Sequence, residues 1–383
     1  MRVIVLPGWY PGKYTPANGN FFREQVRLLR QSGVEASVLF ADLDFRYYLN
    51  GRFSRPQASF VVEEGVPVYR LSGGGLPKRH PLLLNRWARH YFRLFDAYVA
   101  RRGRPDLFHG HTFWGGYIAR QLSRRYGIPY VVTEHATKVL DGRYAPWQGQ
   151  FYRDIYADAT HVVAVSRPLA AAMETQFGVR EVEVIPNYID PDLFFPRERR
   201  PGGRARFVAV GDLIPRKRFD LLLEALHLFG PAVRPELVIV GDGPLRGRLV
   251  RQVQARGLGD DVTFTGYLEP AAVAKQMQQA DFLVSASDVE TFGIVLAEAM
   301  ACGLPVVATG SGGPSDVITP GTGLLVRPGD AGALSAGMKQ LIEEDASYDR
   351  IQIREYAVSR FGKEAVLRRI IEVYEAVRRQ AMS

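Results

Sequence analysis

Glu290 and Glu298 stand eight positions apart around Phe292-Gly293 in the stretch SDVETFGIVLAE, residues 287–298. Two such carboxylates can split a glycosidic bond as acid and base, hold the hydroxyls of a ligand, or simply solvate a helix face. The local order is a strand, DFLVSA, a polar loop ending near Glu290, a helix from about Phe292 to Ala301, and another strand after Gly303-Leu304-Pro305. The first N–H groups of that helix, around Phe292, Gly293 and Ile294, have no acceptor inside it and sit at the positive end of its dipole, which suits a phosphate. Gly293 carries no side chain to keep an anion off the backbone. At roughly 1.5 Å rise per residue the two glutamate backbones lie on the order of 10 Å apart along the axis. A hydrolytic pair instead faces across its substrate at roughly 5 to 9.5 Å. A phosphate between two carboxylates fits a nucleotide sugar better, with sugar hydroxyls at Glu290 and ribose hydroxyls at Glu298. Surface solvation alone does not explain Glu298, which sits among Val295, Leu296 and Ala299, where a carboxylate needs a partner.

Cations stand ready elsewhere. The strand RFVAVG runs into GDLIPRKRFDLLLEA, bringing Arg216, Lys217 and Arg218 to the start of a helix. Lysine can meet a diphosphate as a point charge and arginine as a fork, with Arg218 the member expected to be solvated. Gly241-Asp242-Gly243 is not a full dinucleotide fingerprint and reads as a structural turn before Pro244. In the first half, Asn18-Gly19-Asn20 precedes a helix, so that Gly19 meets a phosphate or merely turns the chain. HGHTFWGG and VVTEHATK place His109, His111, Glu134 and His135 at strand ends. His111 and His135 are the favoured ligand contacts, and His109, which alternates with His111, is left to packing. No third ligand stands at zinc spacing, and the Asp-Leu-Asp at Asp42 to Asp44 is too common a pattern to argue for a metal.

These groups need a frame, and the apolar pattern supplies one. Short β-branched runs (RVIVL, ASVLF, DLFHG, YVVTE, HVVAVS, EVEVIP) alternate with helix-length segments. The alternation resumes with RFVAVG, ELVIVG, DVTFTG, DFLVSA and LPVVAT. That is the signature of parallel sheets with crossover helices. The expected fold class is α/β, with two Rossmann-like parallel-sheet domains facing across a cleft. They span residues 1–193 and 207–361. An Arg/Pro/Gly-rich linker over 194–206 joins them, and a helix over 362–383 caps a domain or bridges back to the first one.

Composition narrows the class further. With 383 residues, 46% of them apolar, the chain can bury two cores. Its one cysteine, Cys302, cannot form an internal disulfide and reads as a small buried residue. The amino terminus has no signal-peptide pattern and no segment is apolar enough to span a bilayer, so the expected location is cytoplasmic. Residues 1–190 carry 25 Lys plus Arg against 16 Asp plus Glu, while residues 191–383 carry 24 against 24, so the excess of nine positive charges lies in the first half. Within it, Asn85 to Arg104 has helical spacing, with Trp87, Tyr91, Leu94, Phe95 and Tyr98 to one side and Arg86, Arg89, Arg93, Arg101 and Arg102 around the other. Such a helix either lies on an anionic membrane surface or packs on its own sheet with solvated arginines.

Taken in order, IPNYID, GDLIPRKRFDLLLEA, GDGPLRGRL, VTFTGYLE, the pair of glutamates, EAMACGLPVVAT, GGPSDVI and GTGLLVRPGD resemble the retaining glycosyltransferases of family 4, which have the GT-B fold. The resemblance implies that Glu298 accepts from the ribose hydroxyls and that Lys217, assisted by Arg216, holds the diphosphate. By the same resemblance Phe292, Gly293 and Ile294 lie at the phosphates and donor sugar, Glu290 contacts sugar hydroxyls near the reaction centre, Tyr267 and Leu268 border the base, and His135 meets the donor sugar. It implies retention of configuration and no obligatory metal or other cofactor. The chain departs from the pattern at Asp212, where an arginine is usual, at Thr291, where a glycine is usual, and at Ser285, where a proline is usual. The amino-terminal glycine pair is here Asn18-Gly19.

The expected function is transfer of a sugar from a nucleotide diphosphate sugar, UDP by family frequency, to a hydroxyl of a carbohydrate or lipid-linked acceptor in envelope or exopolysaccharide synthesis. His111 falls on the acceptor side. An alternative is a nucleotide-sugar epimerase or a phosphorylase on a similar fold. Nucleic-acid binding through the basic first half is the third class, and the neutral second half argues against it.

Overall fold

The computed structural model describes residues 1–12, 19–43, 56–75, 81–198 and 203–382. Asn18, Asp44 and residues 199–202 of the expected linker lie outside them. The chain divides into two units. The first holds Met1–Ala164, Ala170–Ile185 and Leu367–Ser383, and the second holds Val165–Leu169 and Pro186–Val366.

The first unit is built on an eight-stranded sheet in the order β3-β4-β2-β1-β5-β6-β7-β8. Its strands are β1 (Arg2–Leu6), β2 (Glu35–Leu43), β3 (Gln57–Glu63), β4 (Val66–Gly73), β5 (Leu107–His111), β6 (Tyr130–Glu134), β7 (His161–Ala164) and β8 (Glu183–Val184). All neighbours pair in parallel except β3 with β4. That hairpin is absent from the sequence reading. It turns through Glu64 and Gly65, both at positive φ, and β3 runs along the edge with mostly exposed residues, so it shows no buried-strand pattern.

Helix α1 (Asn20–Gln31) follows β1, α2 (Pro81–Arg102) precedes β5, α3 (Thr112–Tyr126) follows β5, and α4 (Gln148–Ala157) lies between β6 and β7. Trp87, Tyr91, Leu94, Phe95 and Tyr98 of α2 are all buried, while Arg86, Arg89, Arg93, Arg101 and Arg102 are exposed. The aromatic stripe is therefore spent on the core of its own unit, and the arginines lie on the outer face beside the exposed Asp96.

Helix α3 approaches the sheet closely because glycines face it. A Cβ on Gly115 would lie 1.9 Å from the carbonyl oxygen of Leu6, and one on Gly116 would lie 2.9 Å from a methyl of Ile155 and 3.0 Å from one of Val132. This contact aims the end of β5, and with it His111.

The second unit holds a six-stranded parallel sheet in the order β11-β10-β9-β12-β13-β14. These strands are β9 (Arg206–Val210), β10 (Glu236–Val240), β11 (Val262–Gly266), β12 (Phe282–Ser285), β13 (Val306–Thr309) and β14 (Gly323–Val326). Helices α5 (Phe219–His227), α6 (Ile294–Ala301) and α7 (Arg350–Phe361) are among those that cover it.

The change of unit at Ile185 and Pro186 precedes the expected boundary at 193. Phe194 is buried, and Arg354 of α7 donates to the carbonyls of Phe194 (2.8 Å) and Pro191 (3.1 Å), so residues 191–194 pack against α7, while Phe195 to Glu198 beyond them are exposed. Helix α8 (Lys363–Met382) begins in the second unit and from Leu367 onward belongs to the first.

Replacing Gly115 by alanine gains a little helix propensity, but the clash is with backbone, which cannot swing aside. Gly115→Ala is expected to lower unfolding stability by about 3 kcal/mol, read as a reduced urea midpoint. An unchanged midpoint would show that α3 does not sit this close to β1.

Candidate functional site

In the second unit the loops leaving β9 and β12, which are neighbours in the sheet, gather the charged groups. After β9 the chain makes a short 3-10 turn, Pro215–Lys217, and enters α5 through Arg218 in the left-handed conformation (φ 49°). The side chain of Lys217 lies along Gly211 and its Nζ reaches Glu290 Oε2 at 2.5 Å, both side chains being 16% exposed. The Arg216 side chain is exposed, and its carbonyl accepts from Asp288 N at 2.8 Å. Arg218, expected to be solvated, instead bonds Asp220 (3.1 Å) and Asp288 (3.0 Å), which ties the two loops together.

Glu290 is fixed through its backbone as well. Its N–H donates to Ser311 O at 3.0 Å and its carbonyl accepts from Gly313 N at 2.8 Å. Only glycine fits at 313, because a Cβ there would lie 2.3 Å from Thr291 O. The Gly-Gly of GGPSDVI thus has a definite task, to let a backbone run against the Glu290 loop.

Helix α6 starts at Ile294, not Phe292, and Gly293 caps it in the left-handed conformation (φ 90°). Phe292 lies before the helix with its ring buried, edge-on to Phe361 at 5.5 Å. The axial spacing expected for Glu290 and Glu298 therefore does not apply, since Glu290 belongs to a loop. The anion-facing N–H groups at the start of α6 begin with Ile294.

Glu298 is half-buried on α6. Desolvation alone pushes its carboxyl up to about 8. Its pair-mate Glu290 has a cation in contact, so the two carboxylates face opposite electrostatic environments. Tyr267 and Leu268 follow β11 at the sheet edge, Tyr267 exposed and Leu268 half-buried. Gly241 and Gly243 act as structural turns. A Cβ on Gly241 would lie 2.0 Å from Gly211 O, and one on Gly243 2.8 Å from Leu213 N.

The first unit holds the remaining residues singled out by sequence. Gly19 caps α1 at φ 87° with no room for a Cβ, which would lie 2.8 Å from Trp9 O. His111 ends β5 fully buried, and its Nδ1 stands 3.1 Å from Nε2 of the half-buried His135. Phe22 of α1 packs against both rings, at 4.8 and 5.8 Å between centroids.

His109 is core, as expected for the packing alternative. Its Nδ1 meets Tyr374 Oη of α8 at 2.6 Å and its Nε2 meets Thr133 Oγ1 at 2.8 Å. Burial pushes its imidazole down to about 3, and burial with the neighbouring rings His109 and His135 pushes His111 well below the ordinary value. Both are neutral at neutral pH.

Sequence reasoning passed over Glu134. Fully buried, it accepts at Oε1 from His135 N (2.9 Å) and Ala136 N (2.8 Å) and at Oε2 from the Tyr156 hydroxyl (2.8 Å). Desolvation pushes its carboxyl up, against these donors and Lys138. The signal was available, since a glutamate ending the apolar strand YVVTE needs partners. Thr112 was also missed. It opens α3 at φ 57°, a strained setting for a β-branched residue, and a Cβ on Gly8 would lie 2.2 Å from its Oγ1.

Comparison with known proteins bears on the whole arrangement. Residues 191–378 match the model of glycosyl transferases group 1, and residues 19–188 match that of the glycosyl transferase 4-like domain. A glycogen synthase of Mycobacterium tuberculosis is 30% identical over 306 residues, covering 75% of this chain and 72% of that one. The putative teichuronic acid biosynthesis glycosyltransferase TuaC of Bacillus subtilis is 26% identical over 90% of each chain. Among solved structures, a sucrose-phosphate synthase of Thermosynechococcus elongatus superposes with a TM-score of 0.79 at 24% identity, covering 98% of this chain and 99% of that one. With both halves matched in order on two parallel-sheet units, the chain belongs to the family 4 type of glycosyltransferases, enzymes of the GT-B fold.

Proposed function

We propose that the chain transfers a sugar, with retention of configuration, from a nucleotide diphosphate sugar to a hydroxyl of a carbohydrate or lipid-linked acceptor. The observation that carries this is the start of α6 at Gly293, flanked by the Lys217–Glu290 pair on one side and by Glu298 on the other. Lys217, with Arg216 beside it, meets the diphosphate, and the N–H groups from Ile294 onward meet phosphate oxygens. Glu290, released in part from Lys217, takes sugar hydroxyls, and Glu298 takes the ribose diol. Tyr267 and Leu268 border the base. His135 contacts the donor sugar, and Gly19 admits a phosphate close to the backbone.

In the transfer step the acceptor oxygen attacks the anomeric carbon from the diphosphate side. The bond from that carbon to the phosphate oxygen breaks, and the acceptor proton passes to the leaving diphosphate. No metal is required for this balance. UDP is the proposed nucleotide, a reading supported by Anabaena HepE, whose structure of the same fold contains UDP and glucose. Envelope polysaccharide is the proposed pathway class, in keeping with the name of the Bacillus relative. A cytoplasmic enzyme working at a membrane would use the exposed Arg86, Arg89, Arg93 and Arg102 of α2 against anionic lipid, an electrostatic contact without insertion.

Thermal shift with a panel of nucleotides and nucleotide sugars is expected to single out UDP and one UDP-sugar. Lys217→Ala and Glu298→Ala are each expected to weaken that stabilisation at least about tenfold in concentration and to cut transfer with it. Undiminished binding in both variants would refute the site. Donor incubated alone is expected to remain unepimerised. Sedimentation with anionic vesicles at low salt tests the membrane contact, which no binding would remove.

Glu298 yields a pH prediction whose sign follows from its raised carboxyl. The folded chain holds this proton more tightly than the unfolded one, so stability is full below the ordinary carboxylate value and falls as pH rises through about 8. Glu298→Gln, which cannot ionise, is expected to match the wild type near pH 5 and to melt several degrees higher near pH 9. A parallel fall in both proteins would show that Glu298 is not the titrating group.

A further inference from the structure

We infer that Glu134 is the positioning residue for the turn that carries His135, its carboxylate holding the main chain of His135 and Ala136 where β6 ends. The weight of this for transfer rests on the reading of His135 as a donor-sugar contact.

Glu134 is fully buried, so it meets no ligand directly and acts through the chain beside it. The ladder of β6 with β7 stops at Glu134, opposite Ala164, and a single helical turn, Thr137–Leu140, follows. Between them, His135 and Ala136 belong to neither strand nor helix. The glutamate side chain folds back over this gap, and its Oε1 accepts from His135 N at 2.9 Å and from Ala136 N at 2.8 Å. Two consecutive N–H groups converge on one oxygen, which fixes the direction in which His135 leaves the sheet.

The other oxygen is held from the opposite side. Oε2 accepts from the Tyr156 hydroxyl at 2.8 Å, and the Tyr156 ring on α4 lies against those of Tyr152 and Phe177, at 5.7 and 5.6 Å between centroids. The carboxylate is thus pinned at both ends, by three donors that oppose the desolvation raising its proton affinity. Contacts to the His135 ring, those of Phe22 and His111 included, do not replace this anchor. They settle where the ring lies only once the main chain has been placed.

The consequence is kinetic. A shift of the order of 1 Å in a group that meets the reacting sugar can cost on the order of a hundredfold in rate. In Glu134→Gln the amide oxygen can keep both main-chain N–H groups while its NH2 turns to Tyr156 Oη, so the turn survives. Leucine offers no acceptor, and both N–H groups lose theirs.

The test combines amide exchange and a double-mutant cycle on the full chain labelled with 15N at its seven histidines. The His135 amide, assigned by its loss in His135→Ala, is expected to exchange slowly in the wild type and in Glu134→Gln, and at least about tenfold faster in Glu134→Leu. Transfer is expected to stay within about threefold of wild type in Glu134→Gln and to fall about tenfold or more in Glu134→Leu, with the UDP concentration that half-saturates the thermal shift unchanged in both. In a His135→Ala background, Glu134→Leu is expected to cost little more, because its effect runs through His135. An undiminished further loss in that background overturns the inference, since Glu134 would then serve the unit at large. A wild-type His135 amide that exchanges as freely as in an unfolded chain also overturns it, and needs no variant to fold. Full transfer by His135→Ala overturns instead the reading of His135 beneath it, a failure that the exchange data tell apart from the first.

Discussion

The pairing of Lys217 with Glu290 is the contact on which the second unit's charged edge depends. It spans the loops after β9 and β12, and each side of it is secured by a close backbone approach. Gly241 packs under Gly211, beside which Lys217 lies, and Gly313 packs under Thr291, next to Glu290. Remove the ammonium and a largely buried carboxylate is left facing the same dipole-rich edge without a counter-charge, which is costly. The pair also sets a condition on ligand binding. A phosphate that reaches Lys217 arrives at a cation already satisfied, so net affinity depends on what Glu290 receives in return. In the proposed donor complex the hydroxyls of the transferred sugar would supply donors for it in place of the ammonium.

Glu298 stands in contrast. It shares a sequence segment with Glu290, yet burial without a cation pushes its carboxyl to about 8. Near neutral pH it is then largely a neutral acid, able to donate through one oxygen and accept through the other. In the proposed donor complex a vicinal diol, which offers both donors and acceptors, would meet such a carboxyl without bringing in an unpaired charge. Two glutamates eight positions apart thus do different work because their surroundings, not their chemistry, differ.

Much of this was legible in the chain. Alternating apolar runs gave the two parallel sheets, since crossover topology forces such a pattern, and the ordered motifs named the family. What was not legible depended on through-space contacts. The β3–β4 hairpin escaped because an exposed edge strand shows no buried alternation. The start of α6 was misplaced by two residues because Phe292 looks helical in sequence, while in the structure its ring leaves to meet Phe361. Histidine positions at strand ends were visible, but the division of roles was not. Burial of His111 behind His135 depends on Phe22 from α1, and the capture of His109 depends on Tyr374, some 265 positions away. Arg218 looked solvated because its partner Asp288 lies across a strand crossover.

Left-handed backbone occurs beside several of the candidate site residues. Thr112 after β5, Arg218 after the Lys217 turn and Gly293 before α6 all adopt positive φ, and two of the three are not glycine. At Thr112 and Arg218 the conformation costs of order 1–3 kcal/mol locally and persists only if packing over-determines it, whereas Gly293 adopts it without that penalty. The packing is present in each case. Gly8 leaves just enough room for the Thr112 side chain, Asp220 and Asp288 clamp Arg218, and Leu296 sits where a Gly293 Cβ would be. These contacts hold Thr112 and Arg218 beside His111 and Lys217, which fixes the course of the chain at both positions.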